Sequence, residues 1–197
     1  MNEGGNPEGQ KRDLRRRMLV IRRALSEKDR DAYSAAITEK MLSHPAIKQA
    51  RTIFAYAAME DEVQTEGLIA SLLDMGRRIA IPLVTGRRTM EAVLVPSTDA
   101  LEYGAYHILT VRKERREILP PEEIDCVIVP GVAFGPDGTR LGMGGGYYDS
   151  FLPKASRAVR IAAAFQCQIT EEIPKFPHDC GVDWIVTEQG VFKANQR

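Results

Sequence analysis

The chain has 197 residues, enough for one domain with a substantial core, and its 27 Lys and Arg balance its 27 Asp and Glu. With no net charge there is no global field to draw it to nucleic acid or a membrane surface, so any anion site must be local. No apolar run approaches the roughly 18 residues of a membrane helix, the opening MNEGGNPEGQ is polar and unlike a signal peptide, and Cys126, Cys167 and Cys180 lack CxxC spacing, as expected of reduced, packed thiols in a cytoplasmic protein.

In chain order, residues 1–9 read as a disordered tail with nothing to bury, leaving 10–197 as a single α/β domain. From Lys11 the apolar positions Leu14, Met18, Ile21 and Leu25 recur at helical spacing, with arginines on the solvent side. Ser26 followed by Asp29 resembles a helix start; Tyr33, Ile37 and Met41 share one face of that helix, which should stop before Pro45. Thr52 to Ala58 reads as a buried strand. Thr65 is placed to cap a helix carrying Leu68, Ile69, Leu72 and Leu73, and Gly76 to end it. Strands are expected at Arg78–Val84 and Met90–Pro96, then a polar surface excursion over 97–122, and further strands at Cys126–Pro130, Val159–Phe165 and Val182–Thr187. Apolar strands separated by amphipathic helices predict an α/β fold, a largely parallel sheet with helices on both faces. Ligands of such sheets collect at the carboxyl ends of strands, where Glu62, the glycine-rich loop and Gln166 would emerge.

That loop lies in PGVAFGPDGTRLGMGGGYYDSFL, Pro130 to Leu152. Gly142, Gly144, Gly145 and Gly146 crowd together, with Arg140, Leu141 and Met143 among and before them and Tyr147, Tyr148 and Asp149 after. Backbone without Cβ atoms can approach a bound anion closely and turn its amides on it. Arg140 adds a forked cationic donor suited to phosphate oxygens, and Asp149 is a hard oxygen ligand of the kind magnesium takes. The competing reading is a plain tight turn, but a turn has no need of an arginine, two tyrosines and an aspartate. The pattern is neither a Walker A loop nor a Rossmann fingerprint.

Other charged groups carry two readings as well. KRDLRRR is the solvated face of a helix for Arg12, Arg16 and Arg17, whereas Lys11 and Arg15, one turn apart, project together. Glu60 and Asp61 suit a solvated strand end. His107 and His178 lack zinc spacing.

The segment PGVAF followed by G-T-R-L-G-x-G-G-G-Y-Y-D-x-F-L resembles the signature of the 5-formyltetrahydrofolate cyclo-ligase (5,10-methenyltetrahydrofolate synthetase) family. The likeness extends from about Lys11 to Glu188 and includes Lys11–Leu14–Arg15, MEDEVQTEGLI around Glu62, and PHDCGVDWIVTE. It implies ATP- and magnesium-dependent cyclisation of 5-formyltetrahydrofolate to 5,10-methenyltetrahydrofolate, with ADP and phosphate released. It implies nucleotide contacts from Lys11, Arg15 and Arg140 and the run Leu141, Gly142, Met143, Gly144, Gly145, Gly146, Tyr147 and Tyr148. Folate contacts are implied for Ala57, Glu62, Met143, Gly144, Gly145, Gly146 and Tyr147, metal contacts for Asp149 and Asp179, and catalytic roles for Arg140 and Lys11. The partners are then small molecules, with neither nucleic acid nor membrane, and the chain is expected to be a monomer or weak homodimer. The position of Met143 is often tyrosine or arginine in relatives, and Gly145 stands where some relatives carry a lysine though many bacterial forms have glycine. His107–Val111 lacks the family's Glu-Pro, which bears on how the pterin or glutamate tail is held. A folate- or nucleotide-binding paralogue with little catalysis, or a sugar-phosphate isomerase-like enzyme, remains the alternative. Arg140, Asp149, Lys11 and Glu62 together favour the ligase, because an isomerase has no use for a magnesium ligand beside the loop.

Overall fold

Asn6 starts the first helix: its side chain accepts the Glu8 N–H at 3.1 Å, and Pro7 at the first helical position supplies a preset φ. The computed structural model describes residues 6–104 and 108–195, so residues 1–5 of the expected tail, and His107, lie outside the described residues. Helix α1 (Pro7–Arg23) therefore begins inside the segment expected to be tail. Its buried stripe is Lys11, Leu14, Met18 and Arg22, cationic at both ends, while Ile21 is exposed. The apolar spacing thus misplaced the last turn. Position 22, four beyond Met18, faces inward although it is an arginine.

Helix α2 (Glu27–Ser43) begins as expected, with Ser26 Oγ accepting the Asp29 N–H, and stops before α3 (Pro45–Gln49). Strand β1 (Thr52–Ala55) is buried throughout and shorter than expected. Thr65 precedes α4 (Glu66–Asp74) but does not cap it; its hydroxyl donates to the Tyr56 carbonyl at 2.7 Å, tying the helix start to the end of β1. Gly76, at φ +74°, ends α4 in the left-handed region that favours glycine.

Strands β2 (Arg78–Gly86) and β3 (Thr89–Val95) form an antiparallel hairpin. Residues 97–104 and 108–122 are more regular than expected. They form the antiparallel pair β4 (Leu101–Tyr103) and β5 (Leu109–Val111), then β6 (Ile118–Leu119), which joins the edge of the main sheet. Next come β7 (Cys126–Val129), the short pair β8 (Ala133–Phe134) and β9 (Arg140–Leu141), and α5 (Tyr147–Phe151). Strands β10 (Val159–Ala163), β11 (Trp184–Val186) and the unanticipated β12 (Val191–Lys193) complete the chain.

The main sheet has the order β12-β11-β10-β7-β1-β2-β3-β6, with β11 to β2 mutually parallel and antiparallel strands at both edges. Alternate residues sort into two cores. Ile53, Ile79, Cys126, Ile128 and Ile161 pack against Ile37, Met41, Leu68 and Leu72 of α2 and α4. Phe54, Ala80, Val127, Val129 and Ala162 face Phe151, Leu152 and Ala155 on the other side. Phe54 stacks on Phe151 with ring centroids 4.6 Å apart, and each such buried side chain stabilises by about 1.5–3 kcal/mol. Helix α1 packs through Leu14 and Met18 on Val132, Ala133 and Leu141 around the β8–β9 pair. The result is the expected α/β architecture, and it lays α1 beside the glycine-rich loop.

Candidate functional site

The β8–β9 pair delivers Arg140 to the start of the glycine-rich loop. Asp137 Oδ1 accepts the Thr139 N–H at 3.0 Å to shape the tip, and the Val132 N–H reaches the Leu141 carbonyl at 2.7 Å. Arg140 is 6% exposed, and its guanidinium lies against the chain that follows. A Cβ at Gly142 would stand 2.8 Å from its Nη1, so glycine makes room for the charge. Gly144 and Gly146 take φ of +97° and +71°, turning the backbone over before α5.

Arg140 Nη2 lies 2.6 Å from Asp149 Oδ1, which also accepts the Cys180 N–H at 3.1 Å. Across the loop, Lys11 Nζ pairs with Asp179 Oδ2, which also accepts the Phe176 N–H at 2.6 Å. Lys11 further sits 4.5 Å from the Phe176 ring centroid. Burial pushes the Asp179 carboxyl up, but the hydrogen bonds from Lys11 and Phe176 and the charges of Lys11 and His178 outweigh it and hold it below the usual range. One turn on from Lys11, Arg15 donates through Nε to the Gly142 carbonyl at 2.7 Å and lays its guanidinium by Gly144. Burial lowers the Arg15 pKa, and the charge of Asp179 partly opposes this.

Glu62 closes the other flank. It is 7% exposed, accepts the Met59 N–H at 3.1 Å, and stands 3.5 Å from Arg22 Nη1. Burial raises its pKa, against the stabilising Met59 N–H and Arg22. Its proximity to the loop is felt at Tyr148, whose hydroxyl is buried with no hydrogen-bond partner among the described residues. Burial, and then the Glu62 charge, push the Tyr148 phenol far up. The ring of Tyr148 carries the Arg140 guanidinium over it at 5.6 Å. Tyr148 thus stands between the cationic group and the carboxylate.

Most of the expected residues therefore converge. Lys11, Arg15, Arg140, Asp149, Asp179, Tyr148 and Glu62 are linked by contact or by field to the loop, while Met143, Gly144 and Gly145 form its exposed tip. The Tyr147 ring folds back over Gly145, where a Cβ would lie 2.7 Å from Cε2. Ala57 is buried just past β1. Gln166 emerges just past the carboxyl end of β10, where its Oε1 accepts from Thr187, and Gln168 donates to the Gly131 carbonyl at 2.8 Å.

Two residues escaped the sequence reading. Arg22 is 1% exposed and joins Asp61 (Nη2 to Oδ1, 2.9 Å) to Glu62, a buried charge that orients the site carboxylate. Its i+4 spacing from Met18 was the available signal. Arg88, from the β2–β3 turn, lies on Gly146, and nothing local in the sequence links the two. Shallow grooves on the outer face of α1, lined by Gln10, Leu14 and Arg17, contain none of the expected site residues.

A magnesium ion would draw only part of its oxygen ligands from this donor set. Among the described residues no group of three or more His, Cys, Asp or Glu could enclose a metal unaided. Asp149 Oδ2 and Asp179 Oδ1, however, have no hydrogen-bond partner among the described residues. Two such hard oxygens suit magnesium, which takes one or two carboxylates together with phosphate oxygens.

Comparison with known proteins shows the family. Residues 7–188 match the model of the 5-formyltetrahydrofolate cyclo-ligase family. A relative called 5-formyltetrahydrofolate cyclo-ligase from Mus musculus is 31% identical, covering 90% of this chain and 93% of its own. One of the same name from Escherichia coli K12 is 27% identical, covering 87% and 97%. The solution structure of Aquifex aeolicus 5,10-methenyltetrahydrofolate synthetase superposes with a TM-score of 0.83 at 32% identity, over 93% of this chain and 92% of that one. A synthetase of that name from Mycoplasma pneumoniae gives 0.73 at 25% identity, over 90% and 98%.

Proposed function

Because the chain belongs to the 5-formyltetrahydrofolate cyclo-ligase family, we propose that it closes 5-formyltetrahydrofolate to 5,10-methenyltetrahydrofolate at the expense of ATP. The observation that carries this reading is the convergence of Lys11, Arg15 and Arg140 on the glycine turn, with Glu62 buried on its far side. One flank suits a polyphosphate and the other a ring with N–H and amino donors.

In this reading the formyl oxygen attacks the γ-phosphorus of ATP, the bond to the β,γ-bridging oxygen breaks, and ADP departs. N10 then attacks the activated formyl carbon, loses its proton, and phosphate leaves as the five-membered ring closes. The task of the protein is alignment and charge stabilisation, with no covalent enzyme intermediate. Lys11, Arg15 and Arg140 gather the phosphates. Glu62, held by Met59 N–H and Arg22, orients the pterin. Tyr148 offers its unpartnered hydroxyl between the two. Asp149 and Asp179 would hold magnesium through their free oxygens, and the metal would supply neutralisation of phosphate charge.

Further parts of the proposal are that the chain works in the cytoplasm as a monomer or weak homodimer on small molecules. Among the described residues no helix is long and apolar enough to cross a membrane. The test is to mix protein, 5-formyltetrahydrofolate, ATP and magnesium and follow the ultraviolet absorbance of the methenyl product. Product without nucleotide would refute the mechanism. Tight folate binding without turnover under any condition would identify a binding paralogue instead.

A further inference from the structure

The cations of the site differ in how they are occupied. Lys11 is held by Asp179, Arg140 by Asp149, Arg22 by Asp61 and Glu62, and Arg15 is anchored to the Gly142 carbonyl. Arg88 makes neither an ion pair nor a side-chain hydrogen bond among the described residues. It occupies the β2–β3 turn at φ +59°, a conformation that side-chain-bearing residues rarely adopt, and this aims its side chain at the glycine loop. A Cβ at Gly146 would stand 3.4 Å from Arg88 Cγ, 3.3 Å from Cδ and 3.2 Å from Nε, so the arginine stem lies along the loop backbone. Arg15 lies in the same manner on Gly144. The exposed tip of the loop is therefore flanked by two arginines, one from α1 and one from the hairpin. Met90, two residues past Arg88, packs in the cluster that includes Tyr147 and Tyr148, which fixes the hairpin to this side of the site.

Depth distinguishes the two flanks. Lys11 and Arg140 are buried, whereas Arg88 is exposed at the rim. A folate whose pterin is gripped by Glu62 inside the site must send its p-aminobenzoyl-glutamate outward, so its carboxylates arrive at the rim. A guanidinium with no carboxylate partner, held there by its stem, offers a forked pair of donors for such a group. Resting on the cyclo-ligase reading, we infer that Arg88 binds the glutamate carboxylate of the folate substrate and selects for glutamate-bearing over glutamate-lacking folates.

The experiment compares wild type, Arg88→Ala and Arg88→Lys on two substrates, 5-formyltetrahydrofolate and 5-formyltetrahydropteroate, which lacks the glutamate. Arg88→Ala should raise the KM for the folate about tenfold, the loss expected of one charge-assisted contact, with kcat at saturation unchanged. Wild type and Arg88→Ala should handle the pteroate alike, the KM for ATP should stay the same, and Arg88→Lys should recover part of the folate affinity. The melting temperature should not move, because the guanidinium is solvated. A KM increase of equal size for the pteroate, or one confined to ATP, overturns the assignment, as does an unaffected Arg88→Ala in an active enzyme. A wild-type chain that neither binds nor turns over the folate removes the cyclo-ligase reading itself, and the tail contact with it.

Discussion

Arg140 and Asp149 close the glycine turn on itself. Arg140 precedes the turn, Asp149 follows it in α5, and Nη2 meets Oδ1 at 2.6 Å with the arginine 4% and the aspartate 26% exposed at the side chain. Asp149 Oδ1 also takes the Cys180 N–H, so the segment bearing Asp179 is drawn to the same point. One carboxylate thus sets the shape of the loop and the approach of the second metal candidate.

Asp149→Asn keeps the shape and one hydrogen bond but removes the charge. The lost charge-assisted contact corresponds to about 1.5–3 kcal/mol, or roughly 10- to 100-fold in turnover. Excess magnesium should restore part of the rate if the carboxylate also holds the metal. Normal turnover with unchanged magnesium dependence, alongside a small loss in melting temperature, would reduce Asp149 to a structural residue.

Lys11→Ala removes a buried cation and leaves Asp179 without its ion-pair partner. The KM for ATP should rise about tenfold or more, with less effect on the KM for folate. Steady-state titration of each substrate against the variant distinguishes this from a general loss, in which both would change equally.

Arg22 is fully buried between two carboxylates, so removing it strands charge. Arg22→Leu should destabilise by about 3–5 kcal/mol, read from urea unfolding. Glu62→Gln should be far milder in stability yet raise the KM for folate more than that for ATP. Reversal of that ranking would mean that Glu62 serves the fold and Arg22 does not.

Acid stability has two opposing parts. In Asp61, as in Asp179, burial raises the carboxyl but is outweighed, here by the hydrogen bonds and charges of Arg22 and Arg23, so both lie below their ordinary value of 3.8. Their stabilisation is complete above that value and is lost as pH falls through the lower folded one. Glu62, raised above 4.5 by burial, has the opposite sign: its contribution is present below 4.5 and is lost as pH rises through the folded value. Urea midpoints taken from neutral to about pH 3 should therefore fall less steeply in acid for Asp179→Asn than for wild type, and Glu62→Gln should remove the opposing component. Parallel profiles for all three proteins would show that these groups are not perturbed.

Two glycines should respond oppositely to alanine. At Gly146 the φ of +71° and the Arg88 side chain 3.2 Å from a Cβ make alanine destabilising, by about 1–2 kcal/mol from backbone conformation. At Gly67, inside α4 with nothing within 4 Å, alanine should stabilise by about 0.4–1 kcal/mol. Melting curves of the two single variants provide the check.

The sequence by itself determined the layered α/β class, because apolar runs of strand length alternate with helical periodicity, and such faces can be buried only in that arrangement. It also determined the chemistry of the loop, since Arg140, the glycines, the tyrosines and Asp149 are contiguous, as are the spacing of Lys11 and Arg15 and the start of α2 at Ser26. Tertiary structure decided what depends on contacts between distant segments. Arg22 looked like one more solvated arginine until Asp61 and Glu62 were brought against it. The Thr65 hydroxyl chose the Tyr56 carbonyl over its own helix. Residues 97–122 lacked the periodicity of strands because β4, β5 and β6 have only two or three residues each and are held by pairing partners elsewhere. The pairings Lys11–Asp179 and Arg88–Gly146 were invisible for the same reason: a charge records its own type in the sequence, whereas its partner is fixed only when the chain folds.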